Sequence, residues 1–166
     1  MILKNELAQR IVKELKREPQ SRYGLSKGMK IVFQRIDHAI NALHDEGIVR
    51  NDGPVFHLKS DFEALEKKLF EKTGLDSWKK IDEKYRHLTR ESSEAIFKVL
   101  RKGNYTASDL ELWTEIAKPN IYAATKKLVS LGVLTRDGKA YKFVQSEYNK
   151  FMDAVTEFQF NIKQSI

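Results

Sequence analysis

The stretch "IAKPNIYAATKKLVSLGVLTRDGKAYKF", residues 116–143, decides the fold. Its apolar residues keep helical spacing as far as Gly132, and the pattern then changes to the tight alternation of a hairpin around Asp137-Gly138. Pro119 lies near the first position of the helix, where a proline costs little, and Gly132 supplies a helix stop. The stretch therefore predicts a helix that runs directly into a two-stranded hairpin with a type I′ turn.

An earlier stretch, "NALHDEGIVRNDGPVFHL" at residues 41–58, has the same arrangement. An offset of 85 residues superimposes the two stretches, and apolar residues of the preceding helices coincide at that offset. The aligned pairs include Gly47 with Gly132, Ile36 with Ile121, Leu43 with Leu128, and Asp52-Gly53 with Asp137-Gly138. A repeat of this length predicts two copies of one supersecondary unit.

Each copy contains further helical patterns around this core. A short second helix precedes the third in both copies, and in copy two Thr106 and Asp109 form a predicted capping pair. Gly103 follows the first helix of copy two, where we expect a left-handed cap. The other predicted helices cover residues 3–17, 33–46 and 61–72 in copy one, and 91–102, 118–131 and 147–164 in copy two.

Three helices followed by a hairpin resemble a winged helix-turn-helix. The string "LELWTEIAKPNIYAATKKLVSLGVLTRDGKAYKF" resembles the recognition region of small prokaryotic regulators of the MarR, ArsR and TrmB kind. Leu110, the segment 117–121 and the segment 128–133 carry the resemblance, which implies DNA binding through the third helix and the wing. Copy one departs from it, because Val32 and Phe33 stand where the family prefers small or polar residues.

The expected fold class is mainly α with small β-hairpin wings (α+β), built as two winged-helix modules related by the 85-residue repeat. The expected organisation is module 1 at 1–60, a helical linker at 61–88, module 2 at 89–145 and a C-terminal helix at 146–166.

The charge of the chain favours an anionic partner. The net charge is +7 and the pI is near 9.5, which raises the expectation of nucleic acid. Residues 19–36 and 117–135, the turn and third helix of each copy, contain Lys and Arg but no Asp or Glu. Phosphates attract such residues through counterion release, so the basic excess collects on the elements that would enter a groove.

The candidate DNA-binding residues follow from these positions. Asn120 can bind adenine bidentately and Arg35 can read guanine, whereas Asp37 would repel phosphate. Alternatives remain, because Asn120 can cap its helix and Tyr122 can pack on the wing. The candidates are Lys30, Gln34, Arg35, His38 and Arg50 in copy one, and Lys118, Asn120, Tyr122, Lys126, Lys127, Arg136 and Lys139 in copy two.

The C-terminal segment has apolar residues spaced three, four, three and four apart, as in a helix–helix seam. They are Tyr148, Phe151, Val155, Phe158 and Ile162, and Met152, Phe160 and Ile166 widen the stripe. The seam packs either on the linker helices of the same chain or on a second copy, and the basic balance with so apolar a helix favours a homodimer.

Several function classes lack their signatures. The chain has no Cys, no phosphate-binding glycine loop, no zinc-protease motif and no nucleophile motif, so we expect no catalytic site, metal or cofactor, and no enzyme. No apolar run approaches the ~18 residues of a membrane span, and the first residues lack a signal-peptide core. We expect a cytoplasmic protein that does not bind membranes.

The sequence therefore predicts sequence-selective binding of double-stranded DNA, as a transcription regulator or as a replication or plasmid-maintenance factor. The alternative is a winged-helix protein-interaction scaffold, such as an assembly factor or polymerase-associated subunit. A mixed case, with copy two on DNA and copy one on a protein partner, follows from Val32, Phe33 and Asp37 in copy one.

Overall fold

The computed structural model describes residues 2–164 of the chain. It is mainly helical and contains two small antiparallel sheets of three strands each, which confirms the α+β class. Residues 2–82 with 154–164 form one compact unit, called unit 1, and residues 83–153 form a second, called unit 2. The last helix contributes residues to both units, and the division at 60, 88 and 145 stays a prediction.

Unit 1 begins with a 3-10 helix at Ile2–Lys4. Its sheet has the strand order β1-β3-β2, with β3 antiparallel to both neighbours. The core is formed by apolar residues from every helix of the unit and by Phe56 of β3. The elements are α1 (Glu6–Arg17), β1 (Gln20–Ser21), α2 (Arg22–Met29), α3 (Phe33–Asp45), β2 (Val49–Asp52), β3 (Val55–Leu58) and α4 (Phe62–Thr73), followed by the start of α5 (Trp78–Leu88).

Unit 2 contains the end of α5 and its sheet has the strand order β4-β6-β5. Phe97 and Phe143 stack in its core, with ring centroids 4.7 Å apart. The remaining elements are α6 (Glu91–Leu100), β4 (Tyr105–Thr106), α7 (Ala107–Thr114), α8 (Lys118–Ser130), β5 (Leu134–Asp137), β6 (Ala140–Phe143) and α9 (Gln145–Gln164).

Of the two capping features predicted at the helix ends of copy two, the structure contains one. Thr106 Oγ1 accepts a hydrogen bond from the Asp109 amide at 3.3 Å, and Asp109 Oδ2 accepts one from the Thr106 amide at 3.0 Å, so the predicted capping pair is confirmed. The left-handed cap expected at Gly103 is wrong. The helix ends at Leu100, Arg101 keeps right-handed backbone angles (φ −65°, ψ −22°), and Gly103 has no positive φ.

Both hairpins differ from the predicted type I′ turn. Asp52 pairs with Val55 and Asp137 pairs with Ala140, so each aspartate is the last residue of its strand and the two-residue loop begins at the following glycine. Gly53 has φ +60° and Gly138 has φ +61°, whereas the second loop residues, Pro54 and Lys139, have no positive φ. A positive φ at the first position alone is the pattern of type II′, and proline cannot adopt the second positive φ that type I′ requires.

The turn between the second and third helices is also the same in both units. Lys30 (φ 55°) ends α2 and Glu115 (φ 60°) ends α7, and both are non-glycine residues in the left-handed region. In each case the amide of that residue donates to a carbonyl of the preceding turn, Ser26 for Lys30 and Glu111 for Glu115. The residue in the left-handed region lets the third helix start three residues later, at Phe33 or Lys118.

Candidate nucleic-acid interface

The outward face of α8 is the best-formed candidate surface in unit 2. Ile121, Thr125 and Leu128 are buried on the inner face. Because an α-helix has 3.6 residues per turn, these three residues share one side and the others are spread around the remaining circumference. Asn120, Tyr122 and Lys126 are exposed there, and Tyr122 keeps 50% of its surface accessible. Residues 118–130 contain no carboxylate.

The start of α8 is held without the help of Asn120. The N-cap residue, Ala117, offers no side-chain cap, and Glu111 Oε2 accepts a hydrogen bond from the Lys118 amide at 2.6 Å. Pro119 occupies the first turn, as predicted. Asn120 therefore does not cap the helix in this structure, and the amide side chain of Asn120 lies on the surface.

A groove in unit 2 brings two of the predicted residues together with residues that the sequence did not indicate. It has a volume of about 400 Å³ and runs along one side of α8. Asn120 and Lys127 come from α8, whereas the other polar residues come from the end of α5 and the start of α6. The lining residues are His87, Arg90, Ser92, Ser93, Asn120, Ala123, Ala124, Lys127 and Leu128.

The groove is electropositive, with one carboxylate at its side. Lys127 Nζ lies 2.5 Å from Glu83 Oε1, so this lysine is already paired in the free protein. The pKa of His87 is lowered from its ordinary value, first by burial and then by the positive charges of Arg90 and Lys127, with Glu83 opposing and Arg86 adding to the shift. His87 therefore favours its neutral form between two cations.

The hairpin of unit 2 carries the predicted Arg136 and Lys139. Both side chains are exposed, and Lys139 lies in the turn that follows Gly138. The Arg136 guanidinium stacks over Tyr141, the residue paired with it across the hairpin, at 5.3 Å from the ring centroid. The aromatic ring thus orients one face of this cation and leaves its outer edge accessible.

In unit 1, three of the predicted DNA-binding residues lie on α3. Gln34, Arg35 and His38 are exposed, and Arg35 and His38 line a groove of about 240 Å³ together with residues of α1. Lys30 is exposed in the turn before α3, and Arg50 is half-buried on β2.

Asp37 was expected to face outward and repel phosphate. The structure instead pairs it with Arg22, whose Nε lies 2.6 Å from Asp37 Oδ1. The same guanidinium donates to Asn41 Oδ1 at 2.8 Å and stacks 4.5 Å from the centroid of the Phe56 ring. The carboxylate is neutralised by this pairing, and Arg22 is correspondingly occupied by contacts within the unit.

Large apolar side chains are exposed near both third helices. Val32 and Phe33, at the start of α3, are 66% and 47% exposed, and Tyr23 on α2 is 68% exposed. In unit 2 the exposed pair is Leu112 and Trp113, on α7. The sequence indicated Val32 and Phe33 as departures from the regulators that it resembles, but no periodicity distinguished the other three from core residues.

The C-terminal seam packs within the chain. In unit 1, Phe158 meets Trp78 and Phe62 edge to face, with ring centroids 5.2 Å and 6.2 Å apart, and Val155 and Ile162 are buried. In unit 2, Tyr148 lies edge-on to Phe97 and Phe143, and Phe151 is buried beneath Lys84. Phe158 thus packs on α4 and α5, which fall within the predicted linker, whereas Tyr148 packs on α6 and β6 of unit 2. The homodimer through this seam stays a prediction. Ile166 lies outside the described residues.

Two kinds of feature are absent from the described part of the chain, residues 2–164. No group of three or more His, Cys, Asp or Glu side chains is arranged to hold a metal ion there. No helix in that part combines the length and the apolar character needed to cross a membrane.

Comparison with known proteins leaves the family open. No protein-family model matches this chain, and no curated protein matches it. Among solved structures, it is similar to a crystal structure of the DIP2311 protein from Corynebacterium diphtheriae, with 14% sequence identity and a TM-score of 0.28. The match covers 81% of this chain and 25% of that one, so this chain spans about a quarter of its length. A likeness at this level bears on neither the fold nor the function.

Proposed function

We propose that this protein binds double-stranded DNA and that each unit contains a winged-helix module of an internal repeat. The proposal assigns α8 to the major groove and the β5–β6 hairpin to the neighbouring backbone. The observation that carries it is the exposed surface of α8, on which Asn120, Tyr122 and Lys126 are all accessible and residues 118–130 contain no carboxylate. Regulation of transcription is the role we favour for such a protein.

The geometry of this face suits the two kinds of contact that sequence-selective binding needs. Asn120 is a residue type that reads adenine by two hydrogen bonds, and Tyr122 offers an apolar ring to a thymine methyl group. Lys126 and the wing residues Arg136 and Lys139 supply charge for phosphates, which positions the protein without reading sequence. Base-reading groups on the helix and charges around it are the distribution expected of a DNA-binding surface.

A salt titration tests the proposal. Binding to a mixed 25-base-pair duplex should weaken linearly in log K against log salt, with a slope of about −0.9 for each phosphate contact and about four to eight contacts in total. Lys67→Ala, which removes an exposed charge from α4, is the control and should leave the slope unchanged. Absence of binding at low salt, or a flat slope, would contradict DNA binding.

A protein partner is a second candidate for unit 1 alone. Tyr23, Val32 and Phe33 expose apolar surface around the start of α3, where a DNA-reading helix would carry small or polar residues. Aromatic side chains are enriched at protein interfaces. This candidate is compatible with DNA binding by unit 2, and Phe33→Ser should abolish capture of such a partner while leaving the duplex affinity unchanged.

A further inference from the structure

The groove beside α8 contains charged and polar residues that base reading by α8 does not use. Arg90, the N-cap of α6, and Lys127 of α8 both line it, and His87 lines it as well. Ser93, which is buried to 3% exposure, lines the same groove. Two cationic side chains, an imidazole and a serine hydroxyl therefore line one space of about 400 Å³.

The backbone adds donors of the same kind. α6 begins at Glu91, and its N-cap, Arg90, makes no side-chain cap bond, so the first amides of the helix have no capping side chain. Ser92 and Ser93 of this first turn line the groove. Unpaired amides at a helix N-terminus favour anions, and cationic side chains placed beside them strengthen the preference.

We propose that this groove is a phosphate-binding site, with Arg90, Lys127 and the Ser93 hydroxyl as its ligands. This inference rests on the proposed function, so the phosphate is one of the DNA backbone that flanks α8. A free phosphorylated molecule offers the same chemistry. Asn120 lies at the same groove, so one bound phosphate fixes the distance between the backbone and the base-reading side chain. The bound phosphate therefore fixes the position of α8 relative to the DNA backbone.

Glu83 sets a condition on binding. It holds Lys127 at 2.5 Å in the free protein, so an arriving phosphate competes with this carboxylate for the ammonium group. Removing the carboxylate charge should strengthen phosphate binding, which a purely structural ion pair would not predict. Glu83→Gln is the informative change, and Glu63→Gln, an exposed carboxylate on α4, is the charge-matched control.

His87 provides a reporter inside the site. Its pKa is lowered by burial and by Arg90, Lys127 and Arg86, against the opposing charge of Glu83. A bound dianion stabilises the imidazolium form, so occupation of the groove must raise the pKa of His87, and by linkage binding must tighten as the pH falls through that pKa. The other three histidines, at positions 38, 44 and 57, belong to unit 1 and act as internal references.

The experiment follows the His87 imidazole by NMR across pH in the full chain, alone, with inorganic phosphate and with the 25-base-pair duplex. We expect the pKa of His87 to rise with each ligand and the reference histidines to respond less. Arg90→Ala should abolish the rise and lower the duplex salt slope by about one contact, whereas Arg90→Lys should restore both and Lys98→Ala on α6 should change neither.

The possible results distinguish a failure of the phosphate site from a failure of the proposed DNA binding. A rise with phosphate but no duplex binding keeps the phosphate site and overturns DNA as its source. Duplex binding with no change at His87, and an unaltered salt slope in Arg90→Ala, overturns the site and leaves DNA binding intact. Circular dichroism of each variant establishes that the unit is folded, and a failure of Glu83→Gln to tighten phosphate binding at least twofold over Glu63→Gln also overturns the site.

Discussion

α3 and α8 occupy the same place in the order of elements, yet their surroundings differ. α8 follows Ala117, carries Pro119 in its first turn and exposes Asn120, whereas Val32 and Phe33 are exposed at the start of α3. Each helix also has one charge already paired: Asp37 of α3 is held by Arg22, and Lys127 of α8 is held by Glu83. A run that lacks acids along the sequence is thus not free of acids in space, because Glu83 lies 44 residues away from its partner.

The two glycines that end these helices give the largest expected difference. Both need a positive φ, +80° at Gly47 and +79° at Gly132, but an added Cβ at Gly47 would lie 2.9 Å from the Ile162 carbonyl oxygen, whereas Gly132 has open space. Gly132→Ala should lower the free energy of unfolding by about 1–2 kcal/mol and Gly47→Ala by about 2–4 kcal/mol. Urea titrations followed by circular dichroism measure both, and equal losses would show that α9 yields freely at Ile162.

Base reading gives the next difference. Asn120→Ala should cost about 1–3 kcal/mol on the preferred duplex and little on random DNA, because an amide side chain contributes through base contacts. Arg35→Ala should cost less on the preferred duplex, since α3 begins with exposed apolar residues. Titrations of both variants on preferred and random duplexes test the ranking, and a greater loss from Arg35→Ala would make α3 the principal reader.

The neighbouring lysines of α8 sharpen the comparison further. Lys126→Ala and Lys127→Ala together should weaken binding to all duplexes by roughly 1–2 kcal/mol and flatten the salt slope. Lys126 should contribute the larger part, because Lys127 must first leave Glu83. The slopes of the two single variants decide this point, with the opposite order contradicting it.

The ion pair of α3 gives the smallest effect. Both partners of the Arg22–Asp37 pair are partly exposed, and such pairs contribute about 0–1 kcal/mol to stability. Asp37→Asn should therefore change the free energy of unfolding by less than about 1 kcal/mol and strengthen duplex binding by about 0.5 kcal/mol at most. If this variant tightens binding tenfold instead, α3 lies against DNA and the ranking of the two helices is wrong.

The sequence predicted elements whose signals are local. The helices of both units lie within a few residues of the predicted ranges, because apolar periodicity, Pro119, Gly47 and Gly132 each act on nearby backbone. The strands β1 and β4 were missed because two residues have no periodicity, and they form only when β3 and β6 are there to pair with them. The turn type was wrong because it depends on which residues of the hairpin pair.

The candidate site was less predictable for a related reason. The exposure of Asn120 and Lys126 could be predicted because it depends only on which side of one helix is buried. That side is indicated by the apolar periodicity of neighbouring residues. The groove required α5, α6 and α8 to be packed together, so Arg90, Ser93 and His87 had no signal that could join them to Asn120. The pairing of Glu83 with Lys127 was hidden in the same way.

The division of α9 has a consequence for the order in which the chain can be built. Chains are synthesised from the N-terminus at ~5–20 residues per second, and N-terminal domains ordinarily fold first. Unit 1 needs residues 154–164, whose Phe158 covers Phe62 and Trp78, whereas every residue of unit 2 has been synthesised by position 153. During translation, therefore, the unit that starts first is the one whose core closes last.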